Sequence, residues 1–287
     1  MLEISKKNSG FLSGSTLKLI ACVAMFIDHF GLVIYPNVMI YRILGRLAYP
    51  IFAYFIVEGC KYTRNKLKHF LLIFSVGTVY FFFYLIAYDQ VYPSIFLTFS
   101  VSILNVYLID ALKRYVFPPY IEKMRSDDEN SFENIAENNT EEPYRVNVLR
   151  LLAATGIVFS ALAISYIPFY FVVFDYGYIG MLAPVLMSLF DFSKVKVPDS
   201  WRKLDCKLVR LAFLSVICIS LAIRNQVLKT ELFGFSFTIQ VFNLFSLPLL
   251  ALYNGKVGTK KLKYFFYAFY PVHLGIIMVI KIIIDLL

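Results

Sequence analysis

The chain has 287 residues, 59% hydrophobic and only 16% charged, against roughly 45–50% and about 25% in soluble domains. Its mean hydropathy of +0.69 excludes an ordinary soluble enzyme and predicts an all-α, polytopic membrane helical bundle. The net charge of +9 does not point to nucleic acid, because Lys and Arg fall in short loops between apolar segments, a pattern set by topology and anionic lipid.

Windows of about 20 apolar residues predict nine spans near 16–35, 40–59, 69–88, 94–112, 148–167, 170–190, 207–223, 236–253 and 264–285. Basic residues then alternate strictly between the loops. Lys61, Arg64, Lys66 and Lys68 follow the second span, Lys194, Lys196, Arg202 and Lys203 follow the sixth, and Lys256, Lys260, Lys261 and Lys263 follow the eighth. The turns at 36–40, 89–93 and 168–169 carry none. The alternation predicts a cytoplasmic N-terminus and an outer C-terminus. The first apolar run lacks a small-residue cleavage site and reads as an uncleaved span. Cys22, Cys60, Cys206 and Cys218 show no zinc or disulfide spacing, so no metal is expected.

The stretch 116–147 is acidic and polar, with Asp127, Asp128, Glu129, Glu133, Glu137, Glu141 and Glu142. It is expected to be a disordered cytoplasmic loop, which makes the sequon at Asn138 a chance match. Thr98, Ser102 and Asn105 form one polar stripe on the fourth span; helix–helix hydrogen bonding and the lining of a site are both open readings. Asp175 is expected to be solvated at the outer interface.

The first two spans concentrate the chemistry. They carry Lys18, Asp28, His29, Arg42, Arg46 and Glu58, and an ionisable group inside hydrocarbon marks function by default. In a hairpin centred near residue 38, positions whose numbers sum to about 75 or 76 lie at equal depth. Lys18 is then level with Glu58, and Asp28 and His29 with Arg46. Arg46 is placed to hold Asp28, while Arg42, one turn away, reaches the outer interface by snorkelling. Asp28 and His29 point about 100° apart, which leaves His29 free for proton transfer near neutral pH. Lys18 and His29 lie about 16 Å apart along a helix, a spacing that suits a long thioester with an anionic head at the cytoplasmic surface. Arg46 would support the oxyanion, Asp28 and Glu58 would balance the hairpin's charge, and Lys61, Arg64 and Lys66 would meet donor phosphates. His273 follows Pro271 in the last span and either walls the site or bonds a carbonyl freed by the proline.

Several polar motifs carry a family resemblance: Leu17-Lys18 to Ile27-Asp28-His29, Leu44-Gly45-Arg46 to Tyr49-Pro50, Val57-Glu58-Gly59, Thr63-Arg64-Asn65, Leu252-Tyr253-Asn254-Gly255-Lys256 and Tyr270-Pro271-Val272-His273-Leu274. Over 16–75 and 248–280 the chain resembles the TraX family, named for a conjugation protein that N-acetylates pilin and similar to the wider acyltransferase-3 class. That class places a basic residue, ten others, then an essential His, a spacing Lys18 and His29 share. The resemblance implies one transmembrane acyltransferase domain over 1–287 that uses acetyl-CoA as donor. It implies a catalytic role for His29, donor or transition-state contacts at Lys18 and Arg46, and an acceptor protein or glycan. The implied location is the bacterial inner, or cytoplasmic, membrane. Two other readings remain open at this stage. One is a proton-coupled transporter or flippase, although no internal repeat is evident; the other is a non-enzymatic scaffold for conjugation or surface assembly.

Overall fold

The computed structural model describes residues 10–88, 91, 93–117, 147–224, 229–232 and 235–286. Residues 118–146 of the expected acidic loop, with the Asn138 sequon, lie outside the described residues. The helices are α1 Gly14–Ile34, α2 Met39–Gly45, α3 Ala48–Tyr62, α4 Lys66–Tyr88, α5 Ile95–Val116, α6 Val148–Phe171, α7 Gly177–Leu189, α8 Asp199–Arg202, α9 Lys207–Arg224, α10 Ser246–Ala251 and α11 Lys263–Leu286. A short antiparallel hairpin, β1 Lys229–Leu232 with β2 Phe235–Thr238, leads into a 3-10 turn at Ile239–Phe245 that runs on into α10.

Among the described residues six helical segments are long and apolar enough to cross a bilayer: α1, α2 with α3 (Met39–Tyr62), α4, α5, α6 and α11. The segments expected at 170–190 and 236–253 form apolar helices only over Gly177–Leu189 and Ile239–Ala251. A 13-residue helix such as α7 rises about 20 Å, short of the roughly 30 Å hydrocarbon core. The segment expected at 207–223 forms α9, which carries Lys207, Arg210 and Arg224. Hydropathy registers burial without saying what buries the segment. In α7, Met181, Ala183, Val185 and Met187 are covered by protein, whereas α6 exposes most of its apolar surface.

Packing centres on α3, with α1, α5, α7 and α9 around it; Leu17, Ile51, Ala53, Ile103, Met187, Leu214 and Cys218 form the interior. The polar stripe of α5 serves packing. Thr98 donates to the Asp175 carbonyl at 2.9 Å, Ser102 to the Met181 carbonyl at 2.9 Å, and Asn105 to Ser165 Oγ at 2.9 Å, so it ties α6 and α7 to α5.

The start of α1 is held from far along the chain. Ser13 caps the Thr16 N–H, and the Gly14 and Ser15 N–H groups, which no helical turn can satisfy, donate to the carbonyls of Lys256 and Val257 at 2.8 and 2.9 Å. Gly258 closes this strap at φ +81°, where a side chain would collide with Ser13 and Ser15. The late Leu252-to-Lys256 motif therefore anchors the helix that carries Lys18 and His29.

Candidate functional site

The second span breaks at Arg46 and Leu47, and the sequence explains the break. Pro50 has no N–H for the Arg46 carbonyl and its ring crowds that oxygen, so the N–H groups of Arg46 and Leu47 bond three residues back, to Ile43 and Leu44. The Arg42 carbonyl, which would otherwise receive the Arg46 N–H, accepts instead from Arg46 Nε at 3.2 Å. The break turns the Arg46 side chain back toward α1.

There Arg46 meets Asp28, its Nη2 lying 2.9 and 3.1 Å from the two carboxylate oxygens. Arg42 donates to the same carboxylate at 2.7 Å, which corrects the expectation that it snorkels to the interface. The close approach depends on two glycines. A Cβ at Gly45 would overlap the Asp28 side chain, and one at Gly31 would overlap Tyr41. Arg46 Nη1 reaches Tyr176 Oη at 3.5 Å, and Tyr176 stacks on Tyr49 with ring centroids 4.0 Å apart. Each nitrogen of Arg46 thus already bonds protein, so the geometry favours a positioning role over oxyanion support.

His29 points the other way round α1, onto α11. Its Nδ1 lies 2.8 Å from Nε2 of His273, and the rings stack at 5.0 Å. His273 Nδ1 lies 2.8 Å from the Phe269 carbonyl, which can only accept, so this nitrogen carries the proton. His273 Nε2 is then an acceptor, His29 Nδ1 donates to it, and His29 Nε2 is left with its lone pair available. His273 is 2% exposed, whereas His29 is half-buried. The second wall is aromatic, with Tyr270 edge-on to His29 at 6.3 Å and Phe269 stacked on His273 at 4.8 Å. His273 therefore does both things left open for it, bonding a carbonyl and facing His29. Among the described residues no hydrogen bond or ion pair joins His29 to Arg46.

At the other end of α1 the expected Lys18–Glu58 pair does not form. Glu58 accepts from Arg210 at 2.9 Å, and Arg210 also holds Asp205 at 2.8 Å. Lys18 Nζ instead sits over Phe55, 4.9 Å from the ring centroid, and 5.7 Å from that of Phe266. Equal depth in a hairpin does not choose a partner, because a third helix, α9, brought a better donor to Glu58. The signal was present as a lone Arg inside an apolar run. Lys61 lies 3.5 Å from Asp191, and Lys66 donates to Asp110 at 2.7 Å. Arg64 is exposed in the loop between α3 and α4. Burial alone would raise the Asp191 carboxyl, but Lys61, Arg210 and hydrogen bonds from Ser193 outweigh it and hold it at about 2. No group of three or more metal-ligating side chains occurs among the described residues.

Comparison with known proteins bears on the first half of this arrangement. A protein of Dichelobacter nodosus described as "Probable fimbrial assembly protein FimC, serogroup H1" is 36% identical over 85 residues, 28% of this chain and 35% of that protein. A second relative, "Uncharacterized protein RP591" of Rickettsia prowazekii (strain Madrid E), is 54% identical over 39 residues, 14% of this chain and 16% of that protein. The chain thus covers about a third of the first relative's length and about a sixth of the second's. No solved structure matches. Residues 13–118, which include Asp28, His29, Arg42, Arg46 and Glu58 but neither Arg210 nor His273, match the model of the family described as TraX protein.

Proposed function

We propose that this protein is a membrane acyltransferase that moves an acetyl group from cytoplasmic acetyl-CoA to an amine or hydroxyl of a membrane or exported acceptor, such as a pilin N-terminus or a surface glycan. The TraX match and the basic loops support placing it in a bacterial cytoplasmic membrane with its N-terminus inside. The observation that carries the reading is the hydrogen-bond relay from His29 through His273 to the Phe269 carbonyl. It presents His29 Nε2 as an unprotonated base on a half-buried ring, which is what acyl transfer from a thioester needs.

In this reading the acceptor N–H or O–H gives its proton to His29 Nε2 as the nucleophile adds to the thioester carbonyl. The C–S bond then breaks and the departing thiolate takes the proton back. The positive charge that forms on His29 in between is stabilised through its Nδ1–H by the acceptor nitrogen of His273, which the Phe269 carbonyl holds in the correct tautomer. Asp28, Arg42 and Arg46 set the rotation of α1 and so the direction of His29. Lys18, near the cytoplasmic end of the same helix, is placed to meet the anionic part of the donor.

The test is transfer of radiolabelled acetyl from acetyl-CoA by membranes bearing the wild type or His29→Ala. Loss of transfer with unchanged insertion supports the base, and retained transfer removes it. A second reading, a non-catalytic part in building a surface fibre, is favoured by the likeness to the Dichelobacter protein described as a probable fimbrial assembly protein. It predicts that His29→Ala leaves fibre assembly intact.

A further inference from the structure

We infer that the cleft between α3, α5 and the loop after α7 is a phosphate-binding site. Lys61, Lys113 and Lys194 line this open cleft together with Asp110 and Asp191.

Among the described residues its charges do not balance. The Asp110 carboxylate alone faces Lys66 at 2.7 Å, Arg114 at 3.2 Å and Lys194 at 3.9 Å. On the opposite wall Asp191 faces Lys61 at 3.5 Å and Arg210 at 3.7 Å, and Arg210 is already matched by Glu58 and Asp205. Lys113 donates to the Ser188 and Asp191 carbonyls at 2.5 and 2.8 Å, which satisfies two of its three N–H groups without cancelling its charge. Among the described residues, Lys61, Lys66, Lys113, Lys194, Arg114 and Arg210 therefore set six positive charges against the four carboxylates of Asp110, Asp191, Glu58 and Asp205, an excess of two.

Basic residues that only set topology have no reason to converge, and Lys256 and Lys261 on a neighbouring loop stand exposed. Here three cations from three elements, Lys61, Lys113 and Lys194, line one partly buried concavity, and Lys66 and Arg114 border it through Asp110, where like charges repel more strongly than in water. A phosphoryl group carries the missing charge and accepts from several ammonium groups at once. Two sources have this chemistry, the phosphates of a nucleotide-bearing donor and the headgroup of an anionic lipid. The site stands on its own geometry, whether or not the protein transfers acyl groups.

The full chain in nanodiscs of neutral lipid is titrated calorimetrically with pyrophosphate and with adenosine 3′,5′-bisphosphate, and retention of phosphatidylglycerol is followed by native mass spectrometry. Lys194→Gln is expected to weaken phosphate binding on the order of 10-fold, and Lys61→Gln to act likewise. Asp110→Asn is expected to tighten it several-fold, because it frees three cations. Binding of the bisphosphate alone assigns the site to a nucleotide, and retention of the lipid alone assigns it to a headgroup; either supports a phosphate site. Absence of both overturns the inference, as does equal weakening by Asp110→Asn and Lys194→Gln in proteins of unchanged thermal stability. Since binding is read directly, its failure is distinct from a failure of acetyl transfer.

Discussion

His29 Nδ1 and His273 Nε2 meet at 2.8 Å across 244 residues of sequence. The contact exists because α1 and α11 pack together and because the strap at 252–259 fixes where α1 begins. It turns two isolated histidines into one hydrogen-bonded chain that ends on the Phe269 carbonyl.

The relay predicts unequal effects of its two members. His29→Ala removes the base and is expected to lower acetyl transfer by about 10²–10⁴, whereas His273→Ala leaves the base in place without its acceptor and costs less. Single-turnover measurements with acetyl-CoA separate the two. Equal losses would show that His273 takes part in the transfer itself.

Asp28 is the carboxylate that bonds both Arg42 and Arg46, so Asp28→Asn removes the bonded counter-charge of both guanidinium groups inside the bundle. Such a loss costs about 3–5 kcal/mol, and thermal unfolding in detergent is expected to fall by many degrees. Adding Arg42→Gln to Asp28→Asn should recover part of it. No recovery would mean that Arg42 is not an obligate partner.

Gly45→Ala is expected to destabilise by about 1–3 kcal/mol, since its methyl group enters space held by Asp28. Gly156→Ala, in α6 with nothing within 4 Å of the new atom, is the control and should be neutral or slightly stabilising. The pair of melting curves tells local collision from a general intolerance of larger residues.

Lys18→Ala is expected to raise the apparent KM for acetyl-CoA with little change in kcat, because a distant charge contributes uniform binding. A fall in kcat alone would place the donor elsewhere.

Asp191 is held at about 2, below the roughly 3.9 of an unfolded aspartate. Its contribution to stability is complete above the unfolded value and is lost as pH falls from about 4 through about 2. Asp191→Asn should remove that part of the acid transition. An unchanged acid profile would mean that the Lys61 and Arg210 contacts do not govern it.

The sequence by itself determined that the chain is a helical membrane protein, that its first two spans hold an unusual set of charges, and that Asp28 pairs with Arg46. Each follows from local properties: apolar runs register burial, and residues on adjacent helices of a hairpin match in depth. The tertiary structure alone decided the rest. It gave Glu58 to Arg210 instead of Lys18, Arg42 to Asp28 instead of the interface, and a partner, His273, to the His29 that the hairpin had left free. Those partners come from α9, α2 and α11, and how such helices rotate against one another depends on glycine-sized gaps and on the break before Pro50, which no periodicity in the chain encodes. Hydropathy likewise could not tell α7, sheathed by its neighbours, from α6, which presents its apolar side chains outward, because both environments select the same residues.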